Sequence, residues 1–114
     1  MIEVTIGWLN QEGDLDFLEV SGHAGYGDYG HDIVCAAVSS QVISFENSLD
    51  HLLDLPVRVD VDQEAGGYLR LDLSQTNQPS KREAVRLLTR HVILALEAIA
   101  ETYPENIRII TNNH

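Results

Sequence analysis

The sequence predicts an α+β domain in the order ββαββαβ, with two long amphipathic helices over one face of a five-stranded mixed sheet. Three observations predict it. Short segments near the start and middle of the chain alternate apolar and polar residues with a period of two, as half-buried strands do. Two longer stretches repeat apolar residues every three or four positions, each opening on a capping residue and closing before a proline. The 114 residues, 44% of them apolar, suit one compact unit spanning 1–114 and are too few for two.

Ile2, Val4, Ile6 and Trp8 alternate with Glu3, Thr5 and Gly7, the pattern of a first strand. A polar turn from Asn10 to Asp14 leads to Phe17–Ser21, so the two pair as a hairpin ending near Gly22-His23. From Ala24 to His31, glycines at 25, 27 and 30 exclude a regular element and predict a loop. Asp32 then caps a helix starting at Ile33, whose buried face carries residues 34, 38, 42, 45, 49 and 52, and which ends before Pro56. Val57–Asp62 and Leu69–Leu73 alternate on either side of an Ala65-Gly66-Gly67 turn, a second hairpin with one wet face. Ser80-Lys81-Arg82-Glu83 has the form of a capping box and starts a helix carried by Val85, Leu88, Val92, Leu96, Ile99 and Tyr103 to Pro104. Ile107-Arg108-Ile109 is a short last strand.

Eighteen acidic against seven basic residues give a formal charge of -11, a field that repels nucleic acid and anionic lipid and attracts basic peptides. One cysteine makes neither an internal disulfide nor a multi-cysteine zinc site, so the cytoplasm is the expected compartment. The first residues lack a basic start with an apolar run, and no segment approaches the roughly 20 apolar residues of a membrane span. A soluble, unprocessed protein is expected, with no cofactor and no metal, because His51, His91 and the terminal His114 have no companion ligands.

Cys35 falls in the first turn of the expected helix, where free backbone N–H groups and the helix dipole favour a thiolate. Surrounded by Ile33, Val34, Ala36, Ala37 and Val38, it also reads as an inert packed residue. His23 ends a strand twelve positions earlier, and the intervening loop can return the chain so that imidazole meets sulfur. As a hairpin-end histidine it would have no role. His31 competes with it but stands just ahead of the cap, where it is expected at the loop surface. Asp32 reads as the helix cap or as a carboxylate orienting a histidine. Ser39, one helical turn after Cys35, either bonds near the site or returns its hydroxyl to the Cys35 carbonyl. Asp60, Asp62 and Glu64 form a wet, acidic strand face.

Ser21-Gly22-His23-Ala24-Gly25-Tyr26, followed by Gly30-His31-Asp32-Ile33-Val34-Cys35-Ala36-Ala37-Val38-Ser39, resembles the signature of the bacterial ribosomal-processing cysteine proteases. The length and element order agree, although the distinctive motifs lie within positions 21–39. The resemblance implies His23 and Cys35 as the catalytic pair, with Gly22, Asp32 and Ser39 in support. It also implies removal of an N-terminal extension from bacterial large-subunit ribosomal protein twenty-seven, a basic protein cut within an apolar, aromatic-containing stretch, by a homodimeric enzyme. His31 departs from the charged residue expected there and adds a second imidazole near the site.

The expected chemistry is acyl transfer, with Cys35 attacking, His23 moving protons and helix-start N–H groups holding the oxyanion. Gly25, Tyr26, Gly27, Tyr29 and Gly30 are expected to form a loop that orders over substrate. Two other classes share some of these features. An acidic module that only binds basic ribosomal proteins needs no thiol beside a histidine. A redox or acyl-carrying thiol enzyme normally has a second cysteine or a cofactor motif, and the chain has neither.

Overall fold

The structure, a computed structural model, describes residues 1–22, 29–62 and 67–113, with the side chains of residues 29 and 30 excepted. Its elements are β1 (Ile2–Trp8), β2 (Leu15–Ser21), α1 (Tyr29–Leu53), β3 (Arg58–Asp62), β4 (Tyr68–Asp72), α2 (Arg82–Thr102) and β5 (Ile107–Asn112). The strands form one sheet in the order β3-β4-β2-β1-β5, antiparallel except for the parallel β1–β5 pair. The expected α+β architecture and mixed sheet are what forms.

Register follows from the alternation, because a strand slipped by one residue would turn its apolar set to water. Val4 pairs with Val20 and Ile109, and Leu18 with Ile6 and Leu71, which places them all on one face. Both helices cover that face, with Val34, Val38, Val42, Phe45 and Leu49 of α1 and Val85, Val92 and Leu96 of α2 buried against it. α2 packs on α1 and leads into β5, where Ile107 N–H bonds the Tyr103 carbonyl at 3.2 Å. On the opposite face the Phe17 ring fills the space above Gly7, where a Cβ would lie 2.1 Å from a ring carbon. Arg70 stacks on that ring at 4.0 Å and, with the Tyr68 hydroxyl at 2.8 Å, donates to Glu19.

Several boundaries differ from expectation. The strands β2 and β5 are longer, because pairing with β1 continues past the apolar residues that announce them. Leu52 is 71% exposed rather than buried. The helix stops there: Asp54 turns left-handed (φ 56°), Leu55 N–H returns to the Leu49 carbonyl at 2.9 Å, and Leu55 takes the core position instead. The capping box at Ser80 does not form. A 3₁₀ turn, Pro79–Lys81, precedes α2, and the Arg82 N–H bonds the Pro79 carbonyl, so main-chain acceptors replace the side-chain cap. Arg86 of α2 closes on the β1–β2 turn through a two-pronged pair with Asp14, at 2.8 and 2.9 Å.

Candidate active site

The helix α1 begins at Tyr29, four residues before the expected start at Ile33. Asp32 therefore lies inside its first turn and is no N-cap, and Cys35 moves to the second turn. The helix start, whose N–H groups were expected to hold the oxyanion, therefore lies about one turn ahead of the thiol, and the Cys35 N–H is itself within the helical ladder. Cys35 is half-buried and packs against the core. Burial pushes its thiol above the ordinary range, the Asp32 carboxylate adds to this, and the positive chain terminus opposes it. The described surroundings thus disfavour the thiolate, where the helix start was expected to favour it. A proton acceptor has to be supplied when it reacts.

His31 is 9% exposed, where the sequence reading put it at the surface. With α1 starting earlier, His31 falls on the line of Val34, Val38 and Val42 and extends the buried stripe by one turn. That extension was legible as spacing but hidden by the supposed loop. Cys35 and Ser39 are rotated from the centre of this stripe by roughly 55° and 95°, at about 100° per residue. Gln41, Phe45 and Ser48 lie on the other flank, where they line a groove with Leu87, Leu88, His91 and Val92 of α2. The thiol consequently opens away from α2. Ser39, half-buried, keeps its place beside it, without the bond to the Cys35 carbonyl among the hydrogen bonds of the described residues.

Gly22 is where β2 leaves the sheet. Its φ of 80° is left-handed, a Cβ there would meet the Met1 carbonyl oxygen at 2.5 Å, and its N–H bonds the Gly67 carbonyl at 3.0 Å. The start of β1 thus presses against the residue preceding His23. That contact was not legible in sequence, since it joins residues 1 and 22 across the hairpin. His23, Gly25, Tyr26 and Gly27 lie outside the described residues, as do Glu64 and the Ala65-Gly66 part of the expected turn; Tyr29 and Gly30 are placed only as the first residues of α1. Among the described residues no group of three His, Cys, Asp or Glu side chains converges as a metal site, and no helix is long and apolar enough to cross a membrane.

The chain's single thiol is half-buried on the flank of α1, and β2 ends at Ser21, just before Gly22-His23 in sequence. The sequence profile of the family described as cysteine protease Prp matches residues 1–108, which places the chain in the class of cysteine proteases. The ribosomal processing cysteine protease Prp of Bacillus subtilis (strain 168) is 33% identical over 112 residues, 98% of either chain. That of Staphylococcus aureus (strain Mu50 / ATCC 700699) is 33% identical over 109 residues, 96% of this chain and 97% of its own. Among solved structures, SMU.848 from Streptococcus mutans superposes with a TM-score of 0.88 at 37% identity, covering 100% of this chain and 96% of its own. The essential ribosomal processing protease Prp from S. aureus, in complex with a substrate peptide, superposes with a TM-score of 0.76 at 29% identity, covering 98% and 100%. The chain belongs to the ribosomal processing cysteine protease Prp family.

Proposed function

We propose that this cysteine protease removes the N-terminal extension of bacterial large-subunit ribosomal protein twenty-seven, with Cys35 as nucleophile and His23 as acid and base. The observation that carries the assignment is that Cys35, half-buried on α1, lies within reach of the positive chain terminus, while Met1 itself presses on Gly22, the residue before His23. The S. aureus relatives with bound substrate peptide and with a covalently linked product peptide support peptide cleavage through an enzyme-bound species.

Burial and Asp32 push the Cys35 thiol up, so in this mechanism the thiol proton passes to His23 as the Cys35 sulfur forms its bond to the scissile carbonyl carbon. The imidazolium then protonates the departing amine, leaving a thioester. Water, deprotonated by the same imidazole, releases the acid and restores the thiol. Gly22 sets the exit of the chain toward His23, and Asp32 and Ser39 flank Cys35 in support. The segment carrying Gly25, Tyr26, Gly27, Tyr29 and Gly30 supplies apolar contact to the substrate. A formal charge of -11 suits a basic ribosomal protein as substrate. The enzyme works as a cytoplasmic homodimer, where its substrate is made.

The test is incubation of the protein with full-length and pre-trimmed ribosomal protein twenty-seven, with products weighed by mass spectrometry. Cys35→Ala should fold and bind the full-length protein but leave it uncut, and His23→Ala should cut it at a severely reduced rate. Full cleavage by a clean Cys35→Ala preparation would end the assignment. Full activity in His23→Ala with loss in His31→Ala would transfer the base to His31, one helical turn before Cys35.

A further inference from the structure

Met1 stands where β1 enters the sheet, at the end where β2 leaves it and β5 begins, since Glu3 pairs with Ser21 and Ile2 with Ile107. It is held there. Ile2 is fully buried and its N–H bonds the Asn106 carbonyl at 2.8 Å, which ties the start of the chain to the sheet. The Met1 carbonyl oxygen and carbon lie against Gly22, at 2.5 and 3.4 Å from where a Cβ would stand. The α-amino group of Met1 is near enough to Cys35 for its charge to bear on the thiol, in opposition to that of Asp32.

The chain's seven lysine and arginine side chains lie elsewhere. α1 contains none. Lys81, Arg82, Arg86 and Arg90 stand just ahead of α2 or in its first half, which Arg86 ties to Asp14 in the β1–β2 turn, whereas the far end of α2 leads to β5 and Met1. Arg58, Arg70 and Arg108 alternate with residues of the helix-covered face and pair with Asp60, Glu19 and Glu3 on the open face. On the helix side of the sheet, at the end where Met1 meets Gly22, the chain terminus therefore supplies a positive charge that these side chains do not.

We infer that the α-ammonium of Met1 is a positioning group of the active site, a fixed positive charge that steadies the Cys35 sulfur while its proton is away. This rests on the protease reading of Cys35 and adds to the site a group that belongs to the main chain, which no residue type announces. The ammonium takes no proton from the thiol and forms no bond to substrate; the proton still passes to His23. It lowers the cost of negative charge on sulfur, where burial and Asp32 raise it. An amide at this nitrogen, from a formyl group or from a residue placed ahead of Met1, removes the charge at that point, so the chemical state of Met1 sets the reactivity of the thiol.

Three forms of the protein test this: the chain with a free Met1 amine, the same chain carrying N-formylmethionine from expression with a deformylase inhibitor, and a chain with one glycine ahead of Met1. Each is verified by mass. Cys35 is the single cysteine, so its alkylation by iodoacetamide across pH reads the thiolate directly. Formylation removes the charge without altering a side chain. It should move the alkylation profile to higher pH, slow the reaction at pH 7 about threefold, and lower kcat for full-length ribosomal protein twenty-seven by a similar factor with KM little changed. The added glycine keeps a terminal charge but displaces it by about 3.8 Å, and should give a smaller shift in the same direction. Thermal melts establish that all three forms are folded. Superimposable alkylation profiles would refute the inference. So would a lowered melting temperature with an unmoved profile, because Met1 would then only pack against Gly22. A moved profile without cleavage by any form would keep the charge effect and refute the protease reading instead.

Discussion

Replacing Gly22 with alanine adds a methyl group at the point where β2 leaves the sheet, and the structure sets the cost. At φ 80° the alanine is held left-handed, which costs about 1–2 kcal/mol. Its Cβ would also lie 2.5 Å from the Met1 carbonyl oxygen, a backbone atom that cannot rotate aside. Relieving such an overlap by shifting the start of β1 costs about 1–3 kcal/mol more, while the stiffer unfolded chain returns about 0.4–1 kcal/mol. The net loss is roughly 2–4 kcal/mol. A domain of this length is stable by roughly 5–15 kcal/mol, so the variant should fold at 25 °C, with its urea midpoint lowered by about 2 M. Gly22→Asn separates the two contributions, because asparagine tolerates left-handed backbone but keeps the Cβ, and it should recover up to half of the loss. Urea denaturation followed by circular dichroism measures both. Peptide cleavage, assayed where each variant is folded, should fall further than the fraction folded, because the shift is felt one residue from His23. A loss below about 0.5 kcal/mol, with normal cleavage, would show that the start of β1 yields freely and that Gly22 positions nothing.

Two further outcomes follow from charge. Arg86 and Asn10 hold the Asp14 carboxyl at about 2, below its ordinary 3.8, so its contribution is complete above pH 3.8 and lost as the pH falls through about 2. Asp14→Asn should lower Tm at pH 7 by about 5 °C and remove that part of the acid sensitivity, measured as Tm against pH; equal slopes in both proteins would refute the pairing. Asp32→Asn removes a charge that pushes the Cys35 thiol up, so iodoacetamide should modify Cys35 at least about twofold faster at pH 7. Cleavage should fall in the same variant if Asp32 also supports the catalytic pair. Faster alkylation with faster cleavage would reduce Asp32 to a charge effect.

The buried faces of α1 and α2 were legible because spacing of three and four is a property of the helix itself: Val34, Val38, Val42 and Leu49 could be named before any neighbour was known. The ends were not. The start of α1 was hidden because glycines at 27 and 30 are poor helix formers, yet Tyr29 and Gly30 open the helix and carry His31 into the buried stripe. Its stop at Leu53 depends on Asp54 turning left-handed so that Leu55 can enter the core, a choice made by packing rather than by propensity. The Ser80 capping box failed because a 3₁₀ turn, Pro79–Lys81, leads into the helix and gives the Arg82 and Lys81 N–H groups main-chain acceptors.

By itself the sequence determined the order of elements, the face that each strand and helix buries, and the single thiol twelve positions after a Gly-His pair. These depend on residue type and on spacing along the chain, which local geometry converts directly into faces. Only the tertiary structure decided that the thiol sits in a second helical turn where burial and Asp32 push its pKa up, and that His31 is enclosed. It also decided that Met1 closes against Gly22, and that β3 lies at an edge with Val61 uncovered. Each of these joins groups far apart in sequence. Burial, the approach of charges and the loss of cover at an edge are properties of neighbours, and neighbours exist only once the strand order β3-β4-β2-β1-β5 is fixed.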